Sequence, residues 1–262
     1  MSGHSKWSTI KRSKGAADIK RGRTFTKVAN AITIAVKQGG SGDPGANPRL
    51  RMAMDEAKAV NMPKENIQRA IERGLGIGKE GLEEVSYEGF GPGGAAFLIE
   101  GVTDNRLRTN QEIKIIFERG GGNLAGQGAL SYMFEKKGEI RVKSPAEGEA
   151  RQSRQESRVK SQEEEELELI DLGAEDIESF EEDGLKKYLV YTEATKIAEV
   201  GTKITQLGYE VESKELVFKP TVMQEIKDPG LVKKVIEFAE KLEEQEDIQK
   251  VWSNFDIQED LI

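Results

Sequence analysis

Apolar residues recur at helical spacing through the first part of the chain and fall into strand-sized runs after it. Phe25, Val28, Ala29, Ile32, Ala35 and Val36 follow an i, i+3, i+4, i+7 stripe. Thr24 stands before that stripe as a cap, and Gly39 and Gly40 close it, so the pattern predicts a helix starting at Thr24. Asn47 followed by Pro48 is a second start signal, a cap with proline at the first helical position. Leu50, Ala53, Met54, Ala57 and Val60 give this helix its apolar face. A third helix opens at Pro63, turns Ile67, Ala70 and Ile71 inward, and has Gly74 placed as its stop. Three short helices joined by tight turns predict a small bundle. Residues 1–23 carry no comparable stripe and read as an arm that is loosely ordered when free.

Beyond the bundle the period changes. The glycine-dense stretch 74–94, with "YEGFGPGG", reads as an inter-domain connection ending in turns. "AAFLIEGVTD" predicts a strand, and Asp104 a cap for a helix over 105–119. "GGGNLAGQG" interrupts the chain before one or two strands in "ALSYMFEKKGEIRVK". Residues 144–166 are nearly devoid of apolar side chains, which predicts a flexible acidic insertion that turns helical toward its end. After "LELIDLGAEDI", stopped at Gly173, "KKYLVY" predicts a strand and Thr192 a cap for a helix ending at Gly208. One or two strands in "YEVESKELVFKP", the amphipathic helix "DPGLVKKVIEFAEKLEE" and a closing strand in "IQKVWSNFDI" complete the series. Repeated strand–helix–strand units predict a multi-domain α+β chain, a three-helix domain followed by ferredoxin-like α/β sandwiches.

Charge sharpens this picture. The chain carries a net −8, yet residues 1–80 hold 16 Lys/Arg against 7 Asp/Glu, a net +9. From Lys6 to Lys27 there are eight cations (Lys6, Lys11, Arg12, Lys14, Lys20, Arg21, Arg23, Lys27) and one acid, Asp18. Such a strip neutralises several phosphates of a polyanion at once and releases their counterions. Trp7 adds a flat face suited to an unpaired base. The competing reading has the arm fold back on the acidic domains with Trp7 as its anchor, the protein then acting as a protein–protein adaptor. A second anion-binding hint lies in "TDNRLRTNQE", where Arg106 and Arg108 fall in the first turn of a helix, a place the macrodipole makes unfavourable for cations unless an anion binds there. Tyr87 and Phe90 flank glycines and offer rings either for bases or for packing at a domain junction.

Other chemistry finds little support. The chain has no cysteine and one histidine, His4, so thiolate nucleophiles and the usual zinc or haem sites are excluded. Lys79 is followed by Glu80, so "GLGIGKEG" is not a phosphate-binding loop, and "GGGNLAGQG" follows a helix instead of opening one. The acidic runs at 163–166 and 178–183 lack calcium-loop spacing and read as solvated faces. The expectation is a protein that is not an enzyme, needs no cofactor or small-molecule substrate, and has no apolar run of about 18 residues to span a membrane.

The residues also resemble a known family. "GHSKWSTIKRSKGAADIKRGRTFTK", "GGSGDPGANPRL", "NMPKENIQRAIERG", "YEGFGPGG", "TDNRLRT", "GGNL" and "GAEDI" are similar to motifs of the YebC/PmpR proteins, whose mitochondrial relative is the translational activator of cytochrome c oxidase. These motifs cover most of the chain. Leu107 departs from the pattern, which more typically has Asn between the two basic residues, and 144–166 is an enlarged insertion. The resemblance implies an N-terminal domain over 1–80, a split α+β domain over 81–135 and 208–262, and an inserted α+β domain over 136–207. It implies a bacterial, cytoplasmic protein, with the signature starting at Gly3 and no import segment before it. Members are described both as transcriptional regulators that bind promoter DNA and as ribosome-associated factors that help translation through stretches such as proline runs. The implied partner is therefore promoter DNA or ribosomal RNA, the latter on the ribosome. A flexible basic arm before a small bundle suits irregular RNA at least as well as a DNA groove.

Overall fold

The computed structural model describes residues 17–76, 81–144, 161–182 and 184–257. It is a multi-domain α+β chain with a helical N-terminal region. Helix α1 (Ala17–Gly39) is followed by α2 (Pro48–Ala59) and α3 (Lys64–Gly74). Their apolar stripes close on one core that includes Val28, Ile32, Ala35, Val36, Leu50, Ala57 and Ala70. Helix α1 starts at Ala17, ahead of the Thr24 start that the apolar stripe predicts. Asn47 caps α2 through its side-chain oxygen, which accepts from Leu50 N at 3.0 Å, while its amide donates to the Ala35 carbonyl at 2.8 Å and the Ser41 carbonyl at 3.1 Å. One buried side chain thus starts α2 and ties it to the end of α1. Gly74 is helical and not a left-handed stop. A Cβ there would lie 2.6 Å from the Thr33 carbonyl oxygen, so its role is close approach of α3 to α1.

The next element is a strand where the sequence predicts a connection: β1 (Glu83–Phe90) runs through "YEGF". It forms a hairpin with β2 (Ala96–Thr103), pairing Glu83 with Thr103 through Phe90 with Ala96. Gly89 sits inside β1 because a Cβ would come 2.4 Å from the Phe117 ring. Helix α4 (Arg106–Gly120), the short strand β3 (Asn123–Ala125) and, much later in the chain, β8 (Gln224–Ile226), α7 (Pro229–Glu244), β9 (Ile248–Ser253) and β10 (Phe255–Ile257) complete this domain. Its main sheet is antiparallel in the order β3-β1-β2-β9, built around the β1–β2 hairpin, and β8 and β10 form a small parallel pair. Phe97 of β2, Phe117 of α4 and Phe238 of α7 meet edge-to-face at 4.9 and 5.0 Å and form the centre of its core. Asp228 caps α7 by accepting from Leu231 N.

Residues 135–219 form a second compact unit. Its elements are β4 (Phe134–Lys143), α5 (Gln162–Asp171), β5 (Asp176–Glu182), β6 (Leu185–Glu193), α6 (Ile197–Gln206) and β7 (Glu210–Pro220). The strand order β5-β6-β4-β7 is that of a ferredoxin-like βαββαβ unit. Because β7 supplies the outer strand of this sheet, the unit runs to Lys219 and not to the expected boundary at 207. Of the expected insertion 144–166, residues 145–160 lie outside the described residues, and α5 begins at its acidic end with a Ser161–Glu164 capping box. Thr192 is buried in β6 and caps nothing, and α6 starts from Lys196 without a side-chain cap.

The acidic run at 178–182 is only in part a solvated face. It is strand β5, in which Glu181 is exposed while Glu178 and Glu182 are ion-paired. Glu182 and Glu212 each bridge Arg141 and Lys187, with N–O distances of 2.5–2.8 Å. Arg141 and Lys187 are both buried, and the Arg141 guanidinium also lies 4.6 Å from the Phe180 ring centroid. Hydrogen bonding from Lys187 and Arg141 holds the Glu182 carboxyl below its ordinary range, against burial.

Candidate nucleic-acid interface

His4, Lys6, Trp7, Lys11, Arg12 and Lys14 lie outside the described residues. Lys20, Arg21 and Arg23 fall on the opening turns of α1, so the cationic strip runs directly onto the longest helix of the bundle. Lys27, the last member of the strip, is used inside the protein: its Nζ donates to the Glu243 carbonyl at 2.6 Å, in the final turn of α7. A cation there satisfies a carbonyl without a helical partner and complements the macrodipole.

Two further cations of the bundle do the same kind of work. Lys37 donates to the Leu82 carbonyl at 2.7 Å, and Arg49 bridges Glu84 and Gln38. Ile34, Leu82 and Val102 form the apolar contact beneath them. Arg51 holds the loop before α2 through the Pro44 and Gly45 carbonyls, both at 3.1 Å. The net +9 of the first 80 residues is therefore divided. Lys27, Lys37 and Arg49 tie the bundle to Glu243, Leu82 and Glu84, and the early members are concentrated at the start of the chain.

The motif "TDNRLRT" is explained by a residue far along the sequence. Asp247, at the start of β9 and 8% exposed, accepts from Arg108 at 2.8 Å, Thr109 at 2.6 Å and Thr103 at 3.2 Å. Asn105, and not Asp104, caps α4 by accepting from Arg108 N at 3.1 Å. Asp104 instead accepts from the Arg108 guanidinium at 3.0 Å. Burial works to raise the Asp247 carboxyl, but the hydrogen bonds from Arg108 and Thr109 outweigh it and hold the group below the usual aspartate range. Arg108 thus belongs to a network that fastens β2, α4 and β9 together. Nothing in the local sequence signals Asp247, because the pairing spans 139 residues.

Arg106 and Leu107 remain on the surface at the opening of α4, Leu107 at 81% exposure. Tyr87 is half-buried beside them and donates to Asn110 Oδ1 at 2.6 Å. Burial raises its hydroxyl pKa, and the Arg106 charge works in the opposite direction. Of the two arginines in the motif, Arg106 is the one directed to solvent.

No described group of three or more His, Cys, Asp or Glu is arranged to hold a metal ion. No helix among the described residues is long and apolar enough to cross a membrane. Residues 82–255 match the family model described as TACO1/YebC second and third domain, and residues 5–77 the one described as TACO1/YebC protein N-terminal domain. The chain belongs to the TACO1/YebC family. It is 44% identical over 265 residues to a protein of Chloroflexus aurantiacus named probable transcriptional regulatory protein, covering 100% of this chain and 98% of that one. A protein of the same name from Rubrobacter xylanophilus is 43% identical over 266 residues, with the same coverage. The crystal structure of a conserved hypothetical protein from Aquifex aeolicus is similar with a TM-score of 0.78 at 39% identity, covering 92% of this chain and 93% of that one.

Proposed function

We propose that this protein is a non-enzymatic regulator of gene expression that acts by binding nucleic acid, and that structured RNA of the ribosomal kind is its main target. The observation that carries the reading is the placement of charge. Residues 135–219 hold 14 Lys/Arg and 22 Asp/Glu, a net −8, so the remaining 25 cations and 25 acids balance and the inserted domain accounts for the whole net charge. Eight cations are gathered at Lys6–Lys27, away from that acidic domain in sequence. A polyanion is drawn to the strip and repelled by the inserted domain.

The engagement of Arg49 by Gln38 and Glu84 and of Arg51 by the Pro44 and Gly45 carbonyls favours RNA over a base-reading helix in a DNA groove, since α2 then presents no uncommitted arginine at its start. The names of the relatives, probable transcriptional regulatory proteins, support a regulatory role; the second reading is a cytoplasmic transcriptional regulator that binds DNA.

The test is affinity for a structured RNA and for duplex DNA across a salt series, with wild type and the triple variant Lys11→Ala, Arg12→Ala, Lys14→Ala. Engagement of about six duplex phosphates gives a log–log salt slope near −5, and the triple variant is expected to flatten it by roughly 3. A flat slope in the wild type, or no change in the variant, would refute nucleic-acid binding and leave the adaptor reading. Tighter binding to promoter duplex than to RNA at equal salt would favour the transcriptional reading. Cosedimentation with ribosomes that survives DNase treatment would favour the translational one.

A further inference from the structure

The strand β1 holds a loop in place whose tip is an exposed tyrosine. Glu88 is 8% exposed, and its carboxylate accepts from two backbone N–H groups of that loop, Gly128 and Leu130, each at 2.7 Å. Leu130 is fully buried beneath the loop. On the far side Thr221 donates from its N–H to the Met133 carbonyl at 2.9 Å and from its hydroxyl to the Tyr132 carbonyl at 3.2 Å. Gly128 takes the left-handed conformation that the turn requires, φ +83°. Between these fixed points Tyr132 stands 72% exposed. Burying a carboxylate is costly unless it is fully hydrogen-bonded. Here that arrangement serves to immobilise a backbone that holds an aromatic ring out in water, which is the signature of a surface organised in advance of its ligand.

The chemistry around the ring indicates the ligand. Residues 120–134 form the longest uncharged run in a chain of which 33% is charged. Asn123, Gln127 and Ser131 are exposed within it, offering amide and hydroxyl groups, and Phe90 and Leu124 add exposed apolar surface on the paired strands β1 and β3. Such a surface has no cation for a phosphate and suits the uncharged part of a nucleotide, a flat base with hydrogen-bonding edges.

We infer that Tyr132 is a stacking platform for an unpaired base of RNA, held in position by Glu88. This rests on the reading that the chain binds nucleic acid and adds to it a preference for unpaired over paired segments. The test measures binding of the full chain to a fluorescently labelled ten-nucleotide single strand of mixed sequence and to a blunt RNA duplex of the same length, for wild type, Tyr132→Ala and Tyr132→Trp. Loss of one stacked base lowers single-strand affinity roughly tenfold in Tyr132→Ala. Duplex affinity, the salt slope and the melting temperature are expected to stay as in wild type, and Tyr132→Trp to restore single-strand binding. Equal single-strand affinity in wild type and Tyr132→Ala overturns the inference, as does an equal loss on duplex. In both cases the salt-dependent binding of the wild type still stands. If the wild type binds neither RNA, the proposed function fails with it, and Tyr132 belongs to a protein contact instead.

Discussion

Replacing Asp247 by Ala removes one carboxylate that three side chains from two other elements share. The Thr109 bond, at 2.6 Å between buried groups, is the largest single loss, because a hydrogen bond to a charged acceptor contributes about 1.5–3 kcal/mol. The Arg108 contact adds less, since its side chain is 44% exposed and water replaces the carboxylate; screening brings such a pair to about 0.5 kcal/mol. Thr103, fully buried, loses its 3.2 Å contact with the carboxylate but keeps its acceptor role toward Asn105 N at 2.9 Å. The total is about 3 kcal/mol, a fall in melting temperature of roughly 6–12 °C for a unit of this size. Arg108→Ala alone is expected to cost roughly a sixth as much, about 0.5 kcal/mol. The pH dependence is a second readout. The folded Asp247 carboxyl ionises more readily than the unfolded one, so its contribution is fully present above the unfolded value of about 3.9 and disappears as pH falls through the lower folded value. The stability gap between wild type and Asp247→Asn, followed by urea denaturation from pH 7 to pH 3, should therefore close in acid. A gap that is constant or widens on acidification, or an Ala variant within 0.5 kcal/mol of wild type, would refute the account.

Two more substitutions test the packing. At Gly120 an added Cβ would lie 2.2 Å from the Phe238 ring, which is fixed between Phe97 and Phe117. Gly120→Ala is thus expected to lose about 1–3 kcal/mol in urea denaturation, and a gain of about 1 kcal/mol, as helix propensity alone dictates, would show that the ring yields freely. Asn47→Ala should cost about 2 kcal/mol by thermal melting, half from the cap and half from the stranded Ala35 carbonyl. Asn47→Asp keeps the cap oxygen and should recover only the first half.

The bundle was readable because its signals are local. Asn47–Pro48 and the apolar stripes of α1–α3 state their own positions, and only the polar turns from Ala17 to Arg23 escaped, since they add length to α1 without an apolar stripe. Strand β1 was unreadable for the opposite reason. Gly89 looks like a turn residue until the Phe117 ring occupying its side-chain space is known. Strand β5 hid in the same way, as a carboxylate run whose Glu178 and Glu182 find partners on β4, β6 and β7. In the candidate interface, the pair Arg106 and Arg108 looked equivalent by sequence. Only the return of the chain at Asp247 separates the structural arginine from the solvent-directed one.

The quartet Arg141, Lys187, Glu182 and Glu212 has a consequence for how this chain can change over time. Each cation touches both carboxylates, so the set is neutral as a whole and unbalanced after any single loss. Removing one member strands a buried charge at a cost of several kcal/mol, whereas exchanging all four for apolar side chains of matching volume is compatible with a stable core. Intermediate sequences between those two solutions are the unstable ones. Four positions on four strands, spread from 141 to 212, are thereby bound into one heritable unit that drifts together or stays as it is.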